Sequence, residues 1–465
     1  MNMINVRRLA VMTFLGAGML SDISAQDFSL QADTLNEARL PAQWDLQSCI
    51  DYALEQNITI RKNRVTAEST QIDVKTAKAA LFPSLSFSTS QQVVNRPYQE
   101  TSSRVSGSEI ISSNSKTSYN GNYGLNASWT IYNGSKRLKT LKQERLNNQV
   151  AELDVATSEN MIKESIAQIY IQILYAAESV RVNENTLQVS IAQRDRGQEL
   201  LNAGSIAKSD FAQLEAQVST DRYQLVTAQA TLQDYKLQLK QLLELDGENE
   251  MNVYLPKLSD ENVLAPLPAK KDVYVSALAI RPEIEASKLN VEASELGIDI
   301  AKSSYFPTIS LSAGIGTNHT SGSDFTFGEQ VKNGWNNSIG LSVSVPIFNN
   351  RQTKSAVQKA KLQRETDMLS LLDEQKALYK TIESLWLDAN SAQQRYAAAN
   401  EKLRSTQISY DLISEQFNLG MKNTVELLTE KNNLLQAQQE QLQAKYMAIL
   451  NTQLLKFYQG DKLTL

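Results

Sequence analysis

Histidine and cysteine each occur once in the 465 residues, as His319 and Cys49. One of each cannot build the His- and Cys-rich cage of a zinc site, and Cys49 has no partner for an internal disulfide. No G-x-S-x-G motif and no phosphate-binding glycine loop occurs, so no catalytic residues, metal or cofactor are expected and the chain reads as a non-enzyme. Two carboxylates nevertheless stand in matched places: Asp210 and Glu426 each follow a glycine, Gly204 and Gly420, by six positions, and Lys422 lies beside the second. Their chemistry would be electrostatic. Several copies around a narrow mouth attract cations and resist anions, whereas a single acid in the first turn of a helix complements the helix dipole. Cys49, at helical spacing with Leu46, Ile50 and Ala53, is expected as a buried thiol. His319, in a Ser/Thr/Gly-rich stretch, is expected as a solvated loop residue.

The elements that position these groups are long. The chain holds 18 glycines and 9 prolines, about half the ~12% of average usage. Asn350 to Leu419 runs 70 residues without either, and Ser135 to Arg196 runs 62. At 1.5 Å per residue these stretches make helices of ~105 and ~93 Å. After each tip glycine the apolar residues repeat at seven: Val218, Leu225, Leu232 and Leu239 with Leu214, Ala228, Tyr235 and Leu242, broken at Asp221, then Leu428, Leu435, Leu442 and Ile449 beside Leu427, Leu434, Ala448 and Leu455. Such seams favour coiled-coil packing, so two helical hairpins are expected, ~135–246 with a tip near 204 and ~350–459 with a tip near 420.

The unit is used twice. Ala80-Leu81-Phe82-Pro83-Ser84 returns as Ser304-Tyr305-Phe306-Pro307-Thr308, 224 positions later, while Leu201-Asn202-Ala203-Gly204 returns as Phe417-Asn418-Leu419-Gly420, 216 later. The offset shortens across 95–117 and 318–334, polar segments read as loops, where length changes cost little. The expected domains are a first repeat over 26–248, a linker over 249–270, a second repeat over 271–460 and a short tail over 461–465.

Between helix and hairpin the hydrophobic period changes to 2. Tyr119, Tyr123, Leu125, Ala127, Trp129 and Ile131 alternate with Asn, Gly, Ser and Thr, and Trp335, Ile339, Leu341, Val343, Val345 and Ile347 do the same. Four strands are expected, ~84–95, ~118–132, ~308–318 and ~335–347, each helix turning into a strand at Pro83 or Pro307. Four apolar faces with nothing left in the chain to cover them, and Tyr119, Trp129 and Trp335 as an aromatic belt, fit a membrane β-barrel. Four strands cannot close, and an open edge in lipid leaves backbone groups unpaired. The barrel must therefore be shared: two copies give eight strands and a filled interior, three give twelve and an opening.

Arg7 and Arg8, the apolar run Leu9 to Leu20, and the small pair Ser24-Ala25 have the order of a secretory signal over 1–25. A net charge of -5 offers nothing to steer the chain onto nucleic acid.

Taken in order, Trp44-Asp45-Leu46 through Ala53-Leu54-Glu55-Gln56-Asn57, Ala277-Leu278 through Arg281-Pro282-Glu283, the two Phe-Pro corners and the two Gly tips resemble the TolC-like outer-membrane efflux family over nearly the whole mature chain. The resemblance implies a mostly α chain with a membrane β-barrel: a homotrimer with a twelve-stranded barrel in outer-membrane lipid and coiled-coil α-hairpins reaching into the periplasm. It implies an exit duct for tripartite efflux or type I secretion, joined by a periplasmic adaptor to an inner-membrane pump of the RND or ABC type. It places Ala203, Gly204, Ser205, Leu419, Gly420 and Met421 at adaptor-contacting tips, and Asp210, Lys422 and Glu426 at the periplasmic entrance, with Asp210 linking to Lys422 between neighbouring hairpins. The family's second acidic position finds Thr429 here. A periplasmic coiled-coil scaffold without a pore is the alternative. The lumen's Ser, Asn and Gln residues select no particular cargo.

Overall fold

The computed structural model describes residues 41–98, 102–106, 109–113, 116–246, 251–256, 263–321 and 325–464. The expected signal segment, 1–25, lies outside them. Two units are present. In the small one Trp44 bridges Val253 in parallel, with the Trp44 amide donating to the Asn252 carbonyl and the Tyr254 amide to the Trp44 carbonyl, both at 2.8 Å.

The larger unit begins with α1 (Leu46–Gln56) and α2 (Ile58–Ala79), where the sequence reads as a single helix. Asn57 divides them, because its side chain accepts the amides of Thr59 at 2.9 Å and Ile60 at 3.4 Å and so caps α2. Then come β1 (Ser84–Asn95), β2 (Ser102–Ser106), β3 (Glu109–Ser113), β4 (Thr117–Asn133), α3 (Lys136–Asn202) and α4 (Lys208–Leu242). The second set is α5 (Lys270–Ile280), α6 (Pro282–Ser303), β5 (Thr308–Thr320), α7 (Phe327–Asn333), β6 (Asn336–Ser344), α8 (Gln352–Asn418) and α9 (Thr424–Gln459). Here Pro282 makes the break, starting α6 where a missing amide costs nothing. The segments read as loops are not featureless: 95–117 carries the hairpin β2–β3, and 318–334 carries α7.

The main sheet is antiparallel in the order β1–β4–β5–β6. The helices beneath keep a matching neighbour order, α2–α3–α6–α8, since each strand runs on into one of them. Chain entering the sheet turns at Pro83 or Pro307. Chain leaving it turns through consecutive left-handed residues, Gly134 and Ser135 at φ 67° and 62°, and Asn350 and Arg351 at φ 48° and 66°.

Helices α3 and α8 are each 67 residues long, ~100 Å at 1.5 Å per residue. Their return partners bury one stripe: Leu214, Val218 and Leu239 on α4, and Leu427, Leu434, Leu435 and Ile449 on α9. Leu214 and Leu427 meet Phe417 in a cluster close to the tips. A second core joins α5, α6, α8 and α9 through Val273, Ile284, Ile382 and Leu455. Burying each such side chain contributes ~1.5–3 kcal/mol, so the rods stand by packing rather than by helix propensity. Cys49 is fully buried in α1 beside Leu46, Ile50 and Ala53.

Candidate functional site

In β-structure alternate residues share a face, and the register carries that face across all four strands. Leu85 opposes Ala127 and Phe87 opposes Leu125. Leu125 then faces Ile315 and Trp129 faces Leu311, while Ile309 pairs with Val343, Leu311 with Leu341 and Ala313 with Ile339. These residues form one apolar surface with nothing over most of it: Leu85 is 69% exposed, Leu341 65% and Ile339 84%. The opposite face pairs Ser84 with Ser128, Ser86 with Asn126, Ser128 with Ser312 and Ser312 with Gly340, without a charge. Of the aromatic residues singled out in the sequence, Trp129 anchors the helix end, its indole N–H donating to the Leu81 carbonyl at 2.9 Å. Tyr119 and Trp335 lie at the far end. Among the described residues, both outer strands, β1 and β6, keep one edge without a partner in the sheet.

His319 departs from expectation. It belongs to β5 rather than a loop, stacks on Tyr123 at 5.9 Å and meets Phe327 edge-on at 5.1 Å.

At the helical end the two turns are alike. Gly204 and Gly420 take φ of 74° and 73°, and an added Cβ would touch nothing within 4 Å at either. The glycines are there for backbone conformation: the Ser205 amide donates to Leu200 O at 2.8 Å and the Met421 amide to Gln416 O at 2.9 Å, closing each helix end. Ala203, Ser205, Leu419 and Met421 are exposed around them.

Past the second tip, Asn423 and Glu426 form a reciprocal capping box, with the Glu426 amide donating to Asn423 Oδ1 at 2.9 Å and the Asn423 amide to Glu426 Oε2 at 3.2 Å. Lys422 Nζ lies 2.5 Å from Glu426 Oε1. That ammonium, with the Asn423 amide, holds the Glu426 carboxyl below the usual glutamate range. At the first tip Asp210 Oδ2 accepts the Ala207 amide at 3.3 Å. Within one chain, then, Lys422, just ahead of α9, pairs with Glu426 in the first turn of that helix rather than with Asp210.

Above the tips lies a polar layer where the sequence shows only a break in an apolar row, at Asp221. Asp221 on α4, Lys431 on α9 and Ser190 on α3 are 1%, 3% and 2% exposed. Lys431 Nζ donates to Asp221 Oδ2 and Ser190 Oγ, and Ser190 Oγ donates to Asp221 Oδ2. Gln217 Nε2 adds a bond to Asp221 Oδ1 at 2.9 Å, and Gln193 Nε2 reaches Tyr410 Oη on α8 at 2.8 Å. Burial pushes the Lys431 ammonium below its ordinary value, with Asp221 opposing. The signal in the sequence is the acid alone: Asp221 falls in the row of Leu214 and Ala228, whereas Lys431 lies on neither apolar row of its helix.

A second buried charge group sits where α5 meets α6. Arg281 donates to Glu283 at 2.7 Å and Glu164 at 3.1 Å, and its guanidinium lies 4.2 Å from the centre of the Tyr458 ring. Desolvation raises the Glu164 carboxyl above its usual value. Among the described residues no group of His, Cys, Asp and Glu gathers as a metal site, and no helix is long and apolar enough to cross a membrane.

Residues 49–244 and 273–460 match the sequence pattern of the family described as outer membrane efflux protein. The outer membrane efflux protein BepC of Brucella suis is 25% identical over 294 residues, 63% of this chain and 61% of BepC. The outer membrane protein TolC of Escherichia coli is 24% identical over 341 residues, 70% of this chain and 66% of TolC. The aligned part thus spans less than two thirds of either relative. The solved CusC structure, described in terms of transmembrane channel formation, shares the fold with a TM-score of 0.76 at 19% identity, covering 90% of this chain and 92% of that one.

Proposed function

The chain belongs to the outer membrane efflux protein family, and from that premise we propose that it is the outer-membrane exit duct of a tripartite efflux or type I secretion system. It resides in the outer membrane with its helical part in the periplasm. It conducts passively, and the energy comes from an inner-membrane pump of the RND or ABC type through a periplasmic adaptor. The supporting observation is the apolar face aligned over four strands whose outer members, β1 and β6, have free edges. Lipid covers that face, and three copies join edge to edge into a twelve-stranded barrel, because an unpaired edge in hydrocarbon costs several kcal/mol per group. The helix layer has its own free margins: Ile58, Val65 and Ile72 repeat at seven on α2 and are more than half exposed, as are Leu362 and Leu369 on α8, a pattern that a neighbouring copy would cover.

In this reading the two halves are duplicated units. Ala203, Gly204, Ser205, Leu419, Gly420 and Met421 meet the adaptor, and Asp210, Lys422 and Glu426 ring the entrance. Purified protein in planar bilayers should conduct ions, and Glu426→Lys should reverse or weaken the cation preference. A chain that leaves membranes on carbonate washing and gives no conductance would defeat the proposal in favour of a scaffold.

A further inference from the structure

Helix α7 lies outside the residues proposed above for the entrance and the tips. It folds over the end of the sheet farthest from the helices and lies on the apolar side. Thr317 Oγ1 donates to the Val331 carbonyl at 2.7 Å, the Thr320 amide donates to Gln330 Oε1 at 2.8 Å, and Phe327 packs edge-on against His319. Thr317 and His319 share their face with Leu311 and Ile315, by the alternation of the strand. Gly121 opposite His319 makes the arrangement possible, since a Cβ there would lie 2.1 Å from the imidazole Cε1.

The apolar run on β5 ends at Ile315, and α7 covers the next same-face positions. The helix shows solvent two charges, Glu329 and Lys332, flanked by Phe325, Phe327 and Trp335 at 52%, 43% and 57% exposure. Charges are too costly for hydrocarbon, while a cluster of half-exposed rings is favoured at the boundary between headgroups and acyl chains. The spacing agrees. From Ile131 to Tyr119 on β4 is ~41 Å along the strand, or ~31 Å at a tilt of ~40°, about one hydrocarbon thickness. Tyr119 is level with α7, its carbonyl accepting the Ser321 amide at 2.7 Å.

We propose that α7 is an interfacial foot, lying in the headgroup layer of the outer leaflet and setting the depth at which the sheet sits. This rests on the reading that the sheet spans the outer membrane. The continuity of the aromatic residues with the sheet's apolar face selects lipid as the occupant.

Cys49 is fully buried, so a thiol-reactive fluorophore labels an introduced cysteine. Phe327→Cys, Leu125→Cys and Ser338→Cys are labelled separately in the full chain and reconstituted into phosphatidylcholine vesicles carrying a nitroxide near the headgroup or deep in the acyl chain. Leu125 lies on the apolar face midway between Ile131 and Tyr119. Phe327→Cys should lose fluorescence mainly to the shallow nitroxide, Leu125→Cys mainly to the deep one, and Ser338→Cys, on the polar face, to neither. If Leu125→Cys is quenched while Phe327→Cys is untouched, or is quenched only by the deep nitroxide, the foot is overturned and the spanning sheet stands. If Leu125→Cys is also unquenched, both fall.

Discussion

Lys431 and Asp221 are 210 positions apart in the chain and form an ion pair whose side chains are 4% and 0% exposed. The pair ties α9 to α4, one hairpin to the other. Removing one partner leaves a bare buried charge, a loss of ~3–5 kcal/mol, whereas replacing both with apolar residues of similar volume is commonly neutral or better. Lys431→Ala and Asp221→Ala should each lower stability by about that amount, and Asp221→Leu combined with Lys431→Met should recover it. Denaturant unfolding followed by helical circular dichroism measures all three. A double variant no more stable than the singles would mean that the ion pair itself is required.

The entrance acid has a defined pH response. Lys422 and the Asn423 amide depress the Glu426 pKa, so its contribution to the tip is present above the ordinary glutamate value and is lost only as pH falls through the depressed one. Cation preference in planar bilayers should therefore persist below the usual glutamate range, and Lys422→Ala should move its loss upward in pH. An unchanged midpoint in Lys422→Ala would remove the ammonium as the cause.

Arg281 stands between Glu164 and Glu283. Arg281→Ala leaves two carboxylates facing each other, a loss of ~3–5 kcal/mol at neutral pH. Glu164 is already raised by desolvation. A raised carboxyl binds its proton in the folded state before the unfolded state does, so acid favours the fold across that window. The deficit of the variant should shrink as pH falls from neutral to mildly acidic, read from denaturation midpoints. A deficit constant with pH would place the damage in lost packing on Tyr458 instead.

The two faces of the sheet should respond oppositely to one substitution. Leu125→Arg puts a charge on the apolar side midway along β4, at ~2–4 kcal/mol near mid-bilayer, and should reduce outer-membrane assembly. Asn126→Arg, its neighbour on the polar side, should assemble and alter conductance. Fractionation and single-channel recording distinguish them.

At the tips, Gly204→Ala and Gly420→Ala meet no steric obstacle, so each should cost only the left-handed backbone, ~1–2 kcal/mol. Thermal unfolding should show the two losses to be similar.

Much of this was legible because it is local. The change of hydrophobic period at Pro83 and Pro307 is written in neighbouring residues, and β1 and β5 begin at Ser84 and Thr308. The matched spacing of Asp210 and Glu426 could be read as well. The partner of Lys422 could not, because a lysine four residues before a glutamate and a lysine opposite an aspartate on another hairpin look equally available until the backbone is placed. Asp221 interrupts an apolar row whether or not Lys431 lies across from it, and the pairing depends on how two hairpins align over their length. His319 reads as a solvated histidine by composition, and its half-buried place between Tyr123 and Phe327 depends on Gly121, almost 200 residues away. The α1–α2 break at Asn57 is local too, written in a residue type that caps helices.

The four corners joining strand to helix also govern where the chain can change length. Successive residues turn by about 180° in a strand and 100° in a helix, so one residue added between Asn133 and Lys136, or between Asn349 and Gln352, would exchange the two faces of the sheet relative to the seam below. The corners thus act as a reading frame for the fold. Insertions, tags and inherited length differences belong at the opposite end, and that is the interval in which the spacing between the halves falls from 224 to 216.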